Sequence, residues 1–203
     1  MIEYLDYSIA IEDFNKRRTY DGSQFQAQYT ANNYEIIGDS ILIFRGGMKL
    51  SPEEMVDLKD IQRESHLSDI LISSDDSLHL IIEEFDIQPP NLEIQYYRLR
   101  ILIQIIIENL RNKGIIIKRK GTDIYVNSSK LNVAIASVGK SSSKIHFGVN
   151  IGNTGFPSHV DAVGLLKLGF NENELKDWIV AVAKKYITEI QMVKEDISKT
   201  RSI

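Results

Sequence analysis

The sequence contains no cysteine, which excludes disulfides, thiolate metal sites and cysteine nucleophiles. It has no excess of positive charge. Lysine and arginine number 24 against 28 aspartates and glutamates, a net charge of −4, so a chain-wide basic field for nucleic acid is absent. Long apolar runs are missing too. The longest, residues 101–107, is broken by Gln104 and is far too short to span a bilayer. Met1-Ile2-Glu3-Tyr4-Leu5-Asp6 lacks the cationic start and apolar stretch of a signal peptide, so a cytoplasmic protein is expected. The four histidines, at 66, 79, 146 and 159, form no HExxH-type metal spacing. No GxxxxGK(S/T) or GxGxxG phosphate loop occurs.

What is present is a chain of 203 residues, 43% apolar and 26% charged, enough for one globular domain with a substantial core. The expected division is a single domain over 1–203, with an N-terminal extension (1–18), a core (19–190) and a helical tail (191–203). Tyr4 to Ile11 reads as an edge strand. Lys16-Arg17-Arg18 is a basic triplet, either a solvated charge run or a phosphate contact. Asp21 and Ser23 are N-cap types that would open a helix over about 23–32. Residues 36–44 read as a buried strand bent at Gly38-Asp39, ending in Arg45-Gly46-Gly47. That corner is either an ordinary turn or a place where backbone N–H groups and a guanidinium meet an anion. Ser51-Pro52-Glu53-Glu54 is a helix-start signature, with Asp57, Asp60 and Glu64 on a solvated face. Residues 68–73 and 77–85 read as two strands joined at Ser74-Asp75-Asp76. On the second, Leu78, Leu80 and Ile82 take one face, and His79, Ile81 and Glu83 take the other. His79 and Glu83 are either a proton-transfer pair or an outward polar face.

Pro89-Pro90 marks a break, and Asn91 caps a long helix over 92–113 whose apolar positions recur at helical spacing. The stretch 118–151 then reads as three strands. Asp123 opens one. Lys130 opens another, whose Asn132, Ala134 and Ala136 side is small enough for a ligand or a closely packed helix. On the third, His146, Gly148 and Asn150 face away from the apolar set Ile145, Phe147, Val149 and Ile151. A glycine in mid-strand implies close approach of something to the backbone. A last helix, from about 174 to beyond 195, carries an apolar stripe that either packs on its own sheet or serves a second copy in a homodimer.

The order of a long helix, then RKGTDIYVNSSKLNVAIAS, then IHFGVNI resembles the central signature of biotin protein ligases. Arg119 and Asp123 hold the first and last positions of the opening motif, Lys130-Leu131 the lysine and apolar positions of the next, and Gly148-Val149-Asn150 the third. Arg45-Gly46-Gly47 is similar to the arginine- and glycine-rich ligand loop of biotin and lipoate ligases. The segments YDGSQ, GDSI…FRG, MVDL and HFG-x-N also look like those of an uncharacterised, mainly archaeal family. The resemblance implies a class II synthetase-like α+β fold: a mainly antiparallel sheet with packed helices. It implies ATP-dependent activation of a small carboxylic acid to an acyl-adenylate and transfer to an amine, or the same pocket kept for binding a nucleotide or acyl ligand. It further implies Lys130 as the catalytic contact, Arg45, Gly46, Gly47, Arg119, His146 and Gly148 as ligand-binding residues, and Asp123 and Asn150 as ligands to Mg²⁺ beside ATP. Acyl-adenylate chemistry needs such groups, because carboxylate and triphosphate repel one another. Three departures point away from biotin itself: Lys120-Gly121-Thr122 replaces tryptophan-proline-asparagine, Val133 replaces a glycine, and the glycine loop is short.

Overall fold

Alternating apolar residues build the main sheet of the computed structural model, which describes residues 1–58, 61–62 and 72–201. Strands β1 (Ile2–Tyr4), β2 (Tyr7–Ile11), β3 (Ser40–Leu50) and β4 (Ile72–Glu84) are followed by a small three-stranded sheet. This consists of β5 (Ile117–Lys120), β6 (Asp123–Val126) and β7 (Ser129–Lys130). Strands β8 (Asn132–Val138) and β9 (Ser143–Asn150) return to the main sheet, whose order is β1-β2-β3-β4-β9-β8. The β2–β3 pair is parallel and the other neighbours are antiparallel.

Register assigns the two faces. Ile43, Leu80, Phe147 and Ala134 form one row across four strands, and Ile41, Ile82, Ile145 and Ala136 form another. These rows pack against the helices α2 (Leu92–Asn112) and α3 (Leu175–Lys199) in one large core. The small residues Ala134 and Ala136 of β8 therefore pack toward the helices, and Ala134 also borders the large cavity. The opposite rows are Leu42, Ile81, His146, Ile135 and Phe44, His79, Gly148, Val133. They are covered by Tyr20, Phe25, Met48 and Met55 in a second apolar cluster. The result is an α+β fold dominated by antiparallel pairing. Among the described residues no helix is long and apolar enough to cross a membrane.

Several elements differ from their sequence reading, each for a physical reason. Residues 1–18 supply β1 and β2, and the chain then runs on beside β3 (Arg18 N–H to Arg45 O 3.0 Å, Tyr20 N–H to Gly47 O 2.8 Å). The helix over 23–32 is a short turn at Ser23–Phe25 followed by α1 (Tyr29–Tyr34). Gln28 sits at φ +60° and gives its N–H to the Glu83 carboxylate at 2.9 and 3.0 Å, so no helical ladder can pass through it. Strand β3 does not end at Phe44, because β4 stays paired with it to Leu50, with an irregularity between Gly46 and Met48. The Ser74-Asp75-Asp76 turn lies inside β4, while residues 68–71, Asp60 and Glu64 lie outside the described residues. The single strand 130–138 is broken at Leu131. Asn132 accepts the Ile124 N–H at 2.7 Å and donates to Thr122 O at 3.1 Å, bridging the two sheets at the break. Asn91 caps α2 as read (Ile94 N–H to Oδ1, 3.1 Å), and an Asn171–Glu174 capping box precedes α3.

Candidate functional site

Where the small sheet folds over the β8–β9 end of the main sheet, a cavity of about 390 Å³ opens. Its floor is Tyr20, Val133, Ile135 and His146. One wall is the turn Lys120-Gly121-Thr122-Asp123 with Lys130, and the other is Tyr96 and Arg100 of α2. Such a mixture of apolar floor and convergent charge is what small-molecule sites use. Lys130 Nζ lies 3.0 Å from Asp123 Oδ1, both about 30% exposed at the rim. The Arg100 guanidinium lies over Gly121, with a nitrogen 3.5 Å from where a Cβ would stand.

The backbone of Lys130 is clamped. Its N–H donates to Asp161 O (2.8 Å) and its carbonyl accepts from Val163 N–H (3.0 Å). The Asp161 carboxylate accepts from Ser128 Oγ (3.2 Å) and Ser129 Oγ (2.8 Å). Behind Lys130 and Val133 a smaller cavity of about 90 Å³ is lined by Met48, Asn150, Phe156 and Val160.

The floor holds two buried histidines. His79 Nδ1 and His146 Nε2 are 3.1 Å apart, and His79 Nε2 is 3.3 Å from Gly46 O. Tyr20 stacks on His146 with ring centroids 3.8 Å apart, and Phe44 stacks on His79 at 4.7 Å. Gly148 sits opposite His79 in register. A Cβ there would be 3.4 Å from a nitrogen of each histidine and 3.1 Å from Val133 Cγ2. The close approach read from a mid-strand glycine is thus made by this imidazole pair. Burial pushes His79 down to about 4 and holds His146 well below the ordinary histidine range, so both rings are neutral at pH 7. His79 and Glu83 share a face and both are buried, not outward. They keep separate partners, since Glu83 accepts from Ser142 Oγ at 2.6 Å and from Gln28.

Of the residues named from sequence, Asp123, Lys130 and His146 line the large cavity, and Gly148 makes room for its floor. Arg45 is elsewhere. Paired in register with Leu78, it faces the helix side, buried and bound to Asp76 (2.6 and 3.0 Å) and Glu172 (2.5 and 3.1 Å). Gly46 and Gly47 are not an open loop. A Cβ on Gly46 would be 1.9 Å from Arg18 O, and one on Gly47 3.1 Å from Ser74 O, so the chain's own backbone occupies both approaches. Arg119 is exposed and bonds Gly121 O at 3.2 Å. Asn150 lines the small cavity, its Nδ2 aimed at Val163 O (3.3 Å) and Lys130 O (3.5 Å). Asp123 lines the large cavity and Asn150 the small one, with Lys130 bordering both, and among the described residues no group of three or more His, Asp or Glu side chains could hold a metal ion. Tyr96, Arg100 and Lys120 were missed as site residues. The available signal was Arg100 itself, a cation inside an apolar helix one turn after Tyr96.

An uncharacterised protein, MJ0805, from Methanocaldococcus jannaschii is 35% identical over 184 residues, 91% of this chain and 80% of that protein. A solved protein of unknown function from Pyrococcus horikoshi superposes with a TM-score of 0.85 at 36% identity, covering 97% of this chain and 99% of that one. Biotin protein ligase from Aquifex aeolicus shares the fold at 15% identity, with a TM-score of 0.57 over 95% of this chain and 72% of the ligase. Solved lipoate protein ligases share it as well. The chain belongs to the family described as a domain of unknown function, DUF366, which it matches over residues 9–201.

Proposed function

We propose that the protein binds a small organic acid in the 390 Å³ cavity, with the acid group at Lys130 and the apolar part over Val133, Ile135 and Tyr20. The observation that carries this reading is the position of Lys130: its backbone is clamped and its ammonium stands on the rim of a cavity whose floor is apolar. An acid displacing Asp123 as partner exchanges one charge-assisted contact for another, while its chain leaves water. The test is titration with biotin, lipoate and short fatty acids, followed by thermal shift and calorimetry. Binding weakened about tenfold, some 1.4 kcal/mol, by Lys130→Ala is the expected result. Saturable binding unaffected by that change, or none at millimolar concentration, defeats the reading.

A second reading is favoured by Arg100 and Lys120 beside Lys130. Three cations lie in the cavity with the carboxylates Glu54, Asp57 and Asp123; such a mixed lining suits a nucleotide that carries its own cation, and a ligase-like fold suits ATP. In this reading the bound carboxylate oxygen attacks the α-phosphorus of ATP, pyrophosphate leaves, and the acyl-adenylate passes its acyl group to an amine with loss of AMP. Asp123 and Asn150 line different cavities and Asn150 turns its Nδ2 to main-chain carbonyls, so in this reading magnesium arrives on the nucleotide, as it commonly does. Acid-dependent exchange of pyrophosphate into ATP supports this reading, and its absence across the acids that bind leaves binding alone.

A further inference from the structure

The imidazole pair in the cavity floor is used by neither reading above. We propose that His146 is a neutral hydrogen-bond acceptor in the cavity floor, that His79 is the residue positioning it, and that the ligand carries an N–H or O–H donor on its apolar part. This inference rests on the proposed occupancy of the cavity and narrows the class of acid it takes.

The Gly46 carbonyl oxygen can only accept, so the His79 Nε2 standing 3.3 Å from it bears the proton. A neutral His79 then has a lone pair on Nδ1, and the His146 Nε2 3.1 Å away must donate to it. A neutral His146 with its proton on Nε2 carries its lone pair on Nδ1. The chain of donors therefore leaves one tautomer for each ring, fixed by a backbone carbonyl in β3. The rings are held in place as well. Tyr20 and Phe44 stack on them, and Gly148 leaves the gap in which they meet. The other polar side chains of the cavity include cations (Arg100, Lys120, Lys130), carboxylates (Glu54, Asp123) and the hydroxyl of Tyr96. Beside apolar Val133 and Ile135, a neutral ring nitrogen that can only accept has a different partner from the cations. It selects a hydroxyl or an amide, and it rejects an isostere that lacks the proton, because the ring nitrogen would then be buried unpaired.

The test uses the full chain and nitrogen NMR of its four imidazoles, each assigned by its own substitution. In the free protein His79 and His146 are expected to carry protons on Nε2 only. A proton on His146 Nδ1 would overturn the proposal whatever the ligand. In His79→Phe the His146 ring is expected to become a mixture of tautomers, while His79→Gln, whose amide can donate to Gly46 O and accept from His146, keeps the single form. An unchanged tautomer in folded His79→Phe removes the positioning role. For the ligand, the probes are 5-hydroxypentanoate and 5-methoxypentanoate. The hydroxy acid should bind at least about tenfold more tightly and move the His146 Nδ1 resonance. Equal affinity with that resonance unmoved overturns this inference and leaves the cavity reading standing. Binding of neither acid at millimolar concentration counts against both.

Discussion

His79 is fully buried and held neutral at pH 7, its pKa pushed down to about 4 by loss of solvent. That single residue gives the fold a pH signature. In the unfolded chain an imidazole takes up a proton near pH 6.5. The folded ring does not do so until near pH 4. Stability contributed by the neutral ring is therefore complete above pH 6.5 and is lost progressively as pH falls from 6.5 to 4, by on the order of 3 kcal/mol. Asp39 works in the opposite direction. Burial raises it to about 6, so its protonated form favours the fold over part of the same window. Urea melts of wild type and His79→Gln between pH 7.5 and 4.5 separate the two, because Asp39 is common to both. The difference in stability between the proteins is expected to shrink as pH falls, and a constant difference would show that His79 titrates normally. The environment of this ring was only half legible in the sequence. Alternation put His79, His146 and Gly148 on the faces they occupy, and the mid-strand glycine signalled a close approach. The β4–β9 register that brings His79 level with Gly148 is a long-range pairing that period-2 patterning does not encode.

At the scale of the element, the informative segment is the turn that carries Lys130. The run from Lys130 to Val138 alternates as one strand, yet Lys130 belongs to the small sheet and Asn132 to the main one. Side-chain hydrogen bonds make that division. Asn132 takes the backbone of β6, and Asp161 takes both serines of the turn. Polar residues of this kind look like ordinary turn formers in sequence, so the break at Leu131 was not visible. Arg45-Gly46-Gly47 misled for the converse reason. Its composition suits a loop, and only the pairing of β3 with β4 shows that it continues a strand. Asp161→Ala removes the acceptor of two hydroxyls at an exposed site and should cost no more than about 1 kcal/mol of stability. Its larger expected effect is on ligand affinity, since the turn before Lys130 loses its side-chain anchors while the main-chain bond from Lys130 to Asp161 O remains. Affinity for any acid bound through Lys130 should drop several-fold in Asp161→Ala, and the double variant should bind no more weakly than Lys130→Ala alone. Additive losses would show that the turn and the lysine act separately.

The whole molecule is tied together at one buried carboxylate. Glu84, on the helix side at the end of β4, is 1% exposed. It accepts hydrogen bonds from Tyr7 Oη of β2, from Tyr186 Oη of α3 at 2.8 Å, and from Gln95 Nε2 of α2 at 2.8 Å. Arg98 Nη1 of α2 stands 3.1 Å from the same group. The sheet, its N-terminal strand and both long helices therefore meet on four donors around two oxygens. Burial and the neighbouring negative charge raise Tyr7 and Tyr186 far above the ordinary tyrosine range, so both hydroxyls keep their protons to donate. Arg98 has a second partner in Asp86, with two contacts of 2.8 Å, and would not be left without a carboxylate. Glu84→Ala would strand two hydroxyls and an amide in the core. The expected cost is about 3–5 kcal/mol, as for one partner removed from a buried charged network, against a total stability of about 5–15 kcal/mol for a domain. Glu84→Gln keeps an acceptor for the tyrosines but turns an amide N–H group toward Arg98 or Gln95, so about half that loss is expected. Urea unfolding reads both: a large fall in midpoint at unchanged slope for Glu84→Ala and an intermediate one for Glu84→Gln. A midpoint within experimental error of wild type for Glu84→Ala would mean that the apolar contacts of the helices on the sheet hold the layers together without this network.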